Sequence, residues 1–284
     1  MDNVSIPKVS IIMATYNRNA DLESTIRNIF EQDYSNMELI VIDDGSTDNT
    51  LEIMHKLQRL FPFRGISNVH NVGLQKSLNS GIGQSTGKYI ARIDDHDKWI
   101  DPSKLSKQVA FLESNPEVGL VGTGYTFDGK SMLNPLTDSA IRNQILMRSP
   151  FCHVSVVMVK SVVVEVGGYD EQLSYSEDWD LWLKIGKRAQ LANLPDITTA
   201  IQEDDLSLSK DFYLKQMPIN QKIVKQYYDD YPQKSKALLY HQFIRFFFAI
   251  FPVNGKVHDM MKIRFLKYFA LTPNKNSLDE PSAK

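Results

Sequence analysis

Apolar positions along this chain fall into short unbroken runs, separated by longer stretches in which they recur every three or four residues. Residues 9–14 form one unbroken run, the mark of a strand buried on both faces. Leu22, Ile26, Ile29 and Phe30 then share one helical stripe, with Asn19 or Asp21 placed to cap it. A second run at 39–42 ends in Asp43-Asp44-Gly45-Ser46. Thr47 or Asp48 can cap the helix that follows, with Leu51, Met54 and Leu57 on its inner face. A strand near 65–69, a helix through 74–82 and a strand over 89–93 complete the series. This alternation predicts an α/β fold with a mostly parallel sheet covered by helices on both sides.

The first, second and last of these runs end in polar groups: Thr15-Tyr16-Asn17, Asp43-Asp44, and residues 94–97. Parallel strands put such ends on one edge, where open α/β sheets collect ligands. The last end is the most informative. An apolar strand (Tyr89, Ile90, Ala91, Ile93) runs straight into Asp94, Asp95, His96 and Asp97. Three carboxylates within four residues repel one another, and a divalent cation relieves that repulsion, since hard cations take carboxylate oxygens and several accept imidazole. A solvated acidic loop is the plainer alternative. Pro102 and Leu105 open the next helical pattern, so the cluster sits between strand and helix.

Composition narrows the field. The 284 residues carry a formal charge of −2 and a pI near 6.3, which gives no case for a nucleic-acid binder. A single cysteine, Cys152, precludes an internal disulfide and fits a reducing compartment. The first residues lack a signal-peptide pattern, and no apolar run approaches the roughly 20 residues of a membrane span. The expectation is a cytoplasmic chain. Residues 81–88, Gly-Ile-Gly-Gln-Ser-Thr-Gly-Lys, carry neither nucleotide fingerprint. They precede a strand instead of following one, five residues separate Gly81 from Gly87, and Tyr89 stands where a P-loop needs a hydroxyl. Their glycines read as a helix end turning into the strand.

Several segments together resemble family 2 glycosyltransferases. They are Val9-Ser-Ile-Ile-Met-Ala-Thr-Tyr-Asn17, the stretch from Glu38 to Asp48, Asn71-Val-Gly-Leu74 with Asn79-Ser-Gly81, Gly87 to Asp94, and Ser176-Glu-Asp-Trp-Asp-Leu-Trp182. They occur in the family's order across about residues 7–200. The resemblance implies a GT-A fold, a nucleotide-sugar donor (a UDP-sugar foremost), a divalent metal, and inverting transfer to an acceptor hydroxyl during synthesis of a surface polysaccharide or glycolipid. A nucleotidyltransferase is the nearest enzyme alternative, disfavoured because Thr15-Tyr16-Asn17-Arg18 is no triphosphate loop. A non-catalytic sugar-nucleotide-binding module is the other.

By the same resemblance, Thr15, Asn17 and Asn71 would lie beside the donor, and Asp44 would accept a hydrogen bond from its base. Asp43 reads equally as a turn or cap residue. Arg92 would touch the diphosphate or offset the carboxylate cluster. The Glu177-Asp178 pair matches the family's Glu-Asp, with Asp178 as general base and Glu177 beside the substrate; acidic residues in a helix's first turn are also favoured by its dipole, which accounts for Glu177 and Asp180. His153 would reach the diphosphate or acceptor, or is a core residue. Gly167 and Gly168 read as conformational and Tyr169 as a lining of the acceptor site. Trp179 and Trp182 would stack on sugars or fill the core.

The metal motif departs from the family's Arg-x-Asp-Ala-Asp-Asp. Asp95 replaces a small residue, and His96 stands where the second metal-binding Asp is expected. Asp94 and His96 are then the expected ligands, Asp97 the reserve and Asp95 solvent-facing. Imidazole in the set favours Mn²⁺ over Mg²⁺.

These readings divide the chain into a catalytic domain at 1–205, with a nucleotide-sugar half at about 1–100 and an acceptor half at 101–205, and a helical extension at 206–284. In the extension, Phe246-Phe-Phe-Ala-Ile-Phe251 is flanked by Lys234, Lys236, Arg245, Lys256, Lys262, Arg264 and Lys267 against one acid, Asp259. Such a segment suits peripheral contact with the anionic cytoplasmic face of a membrane, where lipid-linked saccharide acceptors are made, or else a helical cap on the catalytic domain. Pro252 and Gly255 break the second helical pattern, and residues 274–284 read as a disordered tail.

Overall fold

A computed structural model describes residues 6–201 and 210–250. The chain opens with β1 (Val9–Thr15), α1 (Leu22–Ile29), β2 (Met37–Asp43), α2 (Thr50–Leu57), β3 (Phe63–Ser67), α3 (Leu74–Gln84) and β4 (Tyr89–Arg92). Next come β5 (Lys98–Trp99), α4 (Lys104–Ser114), β6 (Val118–Phe127), β7 (Lys130–Met132), α5 (Asp138–Arg142), a 3₁₀ turn at His153–Ser155, β8 (Val157–Val159) and α6 (Lys160–Glu165). The order closes with α7 (Glu177–Gly186), β9 (Gln190–Ile201), α8 (Lys210–Gln226) and α9 (Lys234–Ile250).

All the sheet strands belong to one sheet, in the order β3-β2-β1-β4-β8-β6-β9-β5, with β7 on β6. Strands β3, β2, β1 and β4 pair in parallel, as the unbroken apolar runs require. The second half is mixed: β8 is antiparallel to β4 and to β6, while β9 is parallel to β6. The central strands feed two cores. Along β1, Ile12 and Ala14 face α3 and α7–α9, and Val9, Ile11 and Met13 face α1, α2 and α4. Burying each such side chain contributes about 1.5–3 kcal/mol.

Several local expectations shift. The third strand lies two residues earlier than its apolar positions suggest. Helix α2 starts at Thr50, with Asn49 at the cap position. Its delay has a cause, because Thr47 and Asp48 are engaged by the β1 loop and the Asp48 carboxylate takes the Thr50 N–H. Gly81 does not end a helix. It lies inside α3, where a Cβ would come within 2.7 Å of Ile12 and Ile42, so its missing side chain lets α3 sit on the sheet. Helices α8 and α9 pack on α7, with Ile223, Val224, Tyr227, Tyr231, Ala237 and Tyr240 in its core. No helix among the described residues is long and apolar enough to cross a membrane. The side chains of Phe247–Phe251, the basic residues from Lys256 onward, Pro252, Gly255 and the tail at 274–284 lie outside the described residues.

Gly45 closes the β2 edge of the crevice. Its φ is +73°, and a Cβ there would stand 2.4 Å from the His70 carbonyl carbon. Left-handed strain plus overpacking predicts that Gly45→Ala loses roughly 2–4 kcal/mol of stability, read by urea unfolding. An unchanged midpoint would contradict the close approach of the two loops.

Candidate active site

Because β1 is bonded in parallel to β2 and β4, the C-terminal ends of the three strands stand side by side. Beyond Thr15 the chain turns at Asn17, held left-handed at φ 53°. The Asn17 Oδ1 accepts the Thr47 N–H at 2.8 Å, and its own N–H donates to Ser46 Oγ at 3.0 Å, which ties the first loop to the second. The Thr15 hydroxyl is buried and has no partner among the described residues. Such an orphan invites a ligand. The Asp44 carboxylate accepts Asn68 Nδ2 at 2.8 Å and the N–H groups of Val72 and Gly73 at 3.0 Å. It therefore shapes the loop that presents the exposed Asn71.

At the end of β4 the Arg92 guanidinium is 1% exposed. A charge so buried costs several kcal/mol unless compensated. Its Nη1 lies 2.5 Å from Asp94 Oδ1 in a buried ion pair, and its Nε has no hydrogen-bond partner among the described residues. Burial, the largest single influence, would raise the Asp94 pKa, but Arg92, through its charge and a hydrogen bond, together with the His153 and His96 rings holds the carboxyl below its ordinary range. The chain then folds tightly, the Asp97 N–H donating to the Asp94 carbonyl at 3.3 Å. Thr25 of α1 pins the turn by donating its hydroxyl to the Asp95 carbonyl at 2.9 Å.

Asp95 is buried, contrary to the expectation that it faces solvent. Its Oδ1 meets His96 Nδ1 at 3.1 Å, which raises the His96 pKa against the effect of burial. A carboxylate on one ring nitrogen is how metal-ligating histidines are commonly oriented, with the other nitrogen left for the ion. Asp94 and His96 thus fit a divalent cation whose remaining positions are filled by substrate oxygens or water. Among the described residues no three His, Cys, Asp or Glu side chains are gathered to hold a metal unaided. Asp97, which is buried, therefore does not complete a three-ligand set with Asp94 and His96.

The opposite wall comes from the second half of the sheet. Asn79 of α3 accepts the Tyr169 N–H and donates to the Tyr169 carbonyl, both at 2.9 Å, so it fixes the turn before α7. Gly168 in that turn has φ +66°, and a Cβ would reach within 2.6 Å of Asn79 Oδ1. The Tyr169 hydroxyl stands 2.8 Å from His153 Nε2. Burial, and then the Arg92 charge, push the His153 pKa well below its usual value, so this imidazole is neutral. At the start of α7, burial followed by Asp178 raises the Glu177 pKa to about 7. Burial also raises that of Asp178, opposed by the Trp179 N–H and by Arg92. Arg92, Asp94, His153, Tyr169, Glu177 and Asp178 form one interacting group.

Other candidates are used up by packing. Trp179 and Trp182 are 4% and 0% exposed, and Trp179 Nε1 donates to the Ile145 carbonyl, so neither indole is free to stack on a sugar. Asp180 owes its place to more than the helix dipole: it accepts the Tyr227 hydroxyl and pairs with Lys184, both at 2.8 Å.

Residues 10–170 match the family model described as Glycosyl transferase family 2, more than half of the chain. The chain belongs to that family. It is 37% identical over 209 residues to the putative glycosyltransferase EpsE of Bacillus subtilis, covering 70% of this chain and 74% of that one. It is 32% identical over 202 residues to the amylovoran biosynthesis glycosyltransferase AmsE of Erwinia amylovora, covering 68% and 75%. A third relative is WfaP of Escherichia coli, a UDP-Glc:alpha-D-GlcNAc-diphosphoundecaprenol beta-1,3-glucosyltransferase, 28% identical over 209 residues, or 71% and 80% of the two chains. Among solved structures, S. aureus TarS 1-349 with UDP-GlcNAc superposes with a TM-score of 0.65 at 18% identity over 94% of this chain and 82% of that one. The mannosyltransferase PcManGT of Pyrobaculum calidifontis with GDP-Man and Mn²⁺ gives 0.64 at 17% identity over 94% and 83%. These likenesses show a GT-A fold.

In this family 2 member, sequence reasoning overlooked Thr25, Gln216, Asn220 and Tyr227, and gave Ser176 no part beyond opening the Glu-Asp motif. Each acts on the site through a partner 40 or more positions away, so no local pattern announces it. The raised Glu177 carboxyl yields a pH test. A carboxyl whose folded pKa (about 7) exceeds its reference value of 4.5 binds more protons in the folded state, so its contribution to stability is lost as pH rises through that window. Glu177→Gln should therefore gain melting temperature relative to wild type as pH rises from about 4.5 to about 7. Parallel melting curves would refute the raised pKa.

Proposed function

We propose that this protein is an inverting, metal-dependent glycosyltransferase that moves a sugar from a nucleotide-sugar, a UDP-sugar foremost, to an acceptor hydroxyl of a polysaccharide or a lipid-linked saccharide. The observation that carries this reading is the placement of the Glu177-Asp178 pair and the Asp94 motif about one buried cation, Arg92. A proton acceptor then faces a carboxylate suited to the donor's diphosphate end. The names of AmsE and WfaP support the acceptor class, and those of WfaP and of the TarS complex the donor.

In this reading Thr15, Asn17, Asp44 and Asn71 line the nucleotide side, and Thr15 satisfies its orphaned hydroxyl there. Asp94 and His96 hold the cation, which when bound would neutralise charge on the departing diphosphate. PcManGT is described with Mn²⁺ bound, which supports a divalent cation, and the imidazole is the reason to expect Mn²⁺ over Mg²⁺ here. Asp178 takes the acceptor's hydroxyl proton as the acceptor oxygen bonds to the anomeric carbon. The bond from that carbon to the β-phosphate oxygen breaks on the opposite face, with inversion. A carboxyl pKa raised by burial makes Asp178 a stronger base than a solvated aspartate. Neutral His153 and Tyr169 border the acceptor side. Residues 1–205 form the catalytic domain, and the exposed Leu239, Phe243 and Phe246 of α9 suit contact with an anionic membrane surface.

Two outcomes test the assignment. Asp178→Asn should lower Mn²⁺-dependent release of UDP from UDP-sugars by ~10²–10⁴ while UDP binding by calorimetry persists; wild-type turnover would remove Asp178 from the mechanism. His96→Asp should lower the Mn²⁺/Mg²⁺ activity ratio below that of wild type. Equal ratios in the two proteins would show that His96 does not touch the cation.

A further inference from the structure

Ser176 is the residue before α7, where a serine normally turns its hydroxyl back onto the second or third helical N–H. It does not do so here. Its backbone is left-handed at φ 61°, a conformation non-glycine residues seldom adopt, and its side chain is buried against α8. The hydroxyl donates to Asn220 Oδ1 at 2.7 Å and accepts from Gln216 Nε2 at 2.9 Å, which uses its single proton and one lone pair. Gln216 and Asn220 are four apart and bracket Pro218, so they present one face of α8 to this single group.

The N–H that Ser176 would otherwise cap includes that of Trp179, the third residue of α7. Asp178 stands between the two, in the turn that Ser176 opens. Farther along, the chain leaving α8 (residues 227–231) follows α7 in the same direction. Tyr227 donates to Asp180, Tyr231 donates to the Leu183 carbonyl at 2.6 Å, and Asp230 pairs with Lys187 at 2.9 Å. Gly186 admits this approach, since a Cβ there would come within 2.4 Å of the Tyr231 hydroxyl. Contacts at 176, 180, 183 and 187 make one continuous stripe along α7.

We propose that α8 is a positioning clamp on α7: Gln216 and Asn220 hold the Ser176 hydroxyl away from the helix start and so fix the first turn of α7, which carries Asp178. The extension thereby completes the active site from outside the segment that matches the family model, residues 10–170. The catalytic half of this inference rests on the reading of Asp178 as general base. Its structural half does not.

The test uses the full chain with Asn220→Leu, which removes the acceptor of the Ser176 proton, and Asn220→Asp, which retains one. Amide hydrogen exchange over residues 177–180 should speed up about tenfold or more in Asn220→Leu, with β1 and β2 amides unchanged, and recover in Asn220→Asp. Hydrolysis of UDP-glucose and UDP-GlcNAc with Mn²⁺ should show kcat about tenfold lower in Asn220→Leu at unchanged donor KM, again recovering in Asn220→Asp. Unaltered exchange overturns the clamp. Altered exchange with wild-type kcat, in a protein where Asp178→Asn is inactive, overturns its catalytic role. Loss of activity in neither Asn220→Leu nor Asp178→Asn, or a wild type that releases no UDP, defeats the functional reading, and the exchange data still decide the clamp. If Asn220→Leu does not fold, Ser176→Gly, which suits the left-handed backbone, serves in the same two measurements with the same expectations.

Discussion

A guanidinium with almost no exposed surface sits at the end of β4, and the site is arranged around the need to compensate it. Arg92 leaves β4 pointing inward, and desolvating its charge costs several kcal/mol that only nearby anions offset. Asp94, two residues on, supplies the nearest. Glu177 and Asp178 supply more from α7, while His153 stays neutral because burial, and then the Arg92 charge, disfavours a second cation there. The parallel half and the mixed half of the sheet are thus joined through one charge. The carboxylates that compensate it are also the ones that chemistry requires.

The two halves contribute differently because their topologies differ. Parallel strands bring C-terminal ends together, so β1, β2 and β4 offer loops rich in hydroxyl, amide and carboxylate groups. Those loops brace one another, through Asn17 to Thr47, Asp44 to Val72 and Thr25 to Asp95. The mixed half offers a helix N-terminus. It is placed by the Asn79 bonds to Tyr169 on one side and by α8 on the other. Helices α8 and α9 are part of the core on that face and share its largest apolar cluster with Trp179, Leu181 and Trp182.

Acidic residues one or two positions apart have separate fates, and the partners within reach sort them. Asp94 meets Arg92, whereas Asp95 turns back to orient His96. Asp178 lies within the influence of Arg92, whereas Asp180 is held by Tyr227 and Lys184. The tryptophans sort likewise: both enter the core, since an indole buries more apolar area there than on a sugar. A run of like residues in a sequence therefore overstates the site, and the fold assigns some of them to structure.

The sequence by itself determined the strands of the parallel half, the crevice at their ends and the family motifs at Asp44, Asp94 and Asp178. Unbroken apolar runs and their polar terminations are local signals, because a strand covered on both faces must be apolar throughout and can become polar only where it emerges. Tertiary structure alone decided the antiparallel entry of β8 beside β4, the burial of Asp95, and the capture of Ser176 by Gln216 and Asn220. These outcomes join groups 40 to 44 positions apart in the last case and 70 in the pinning of Asp95 by Thr25. Which hydroxyl meets which carbonyl at such separations depends on how helices pack over the sheet, and the periodicity of a single segment carries no record of that.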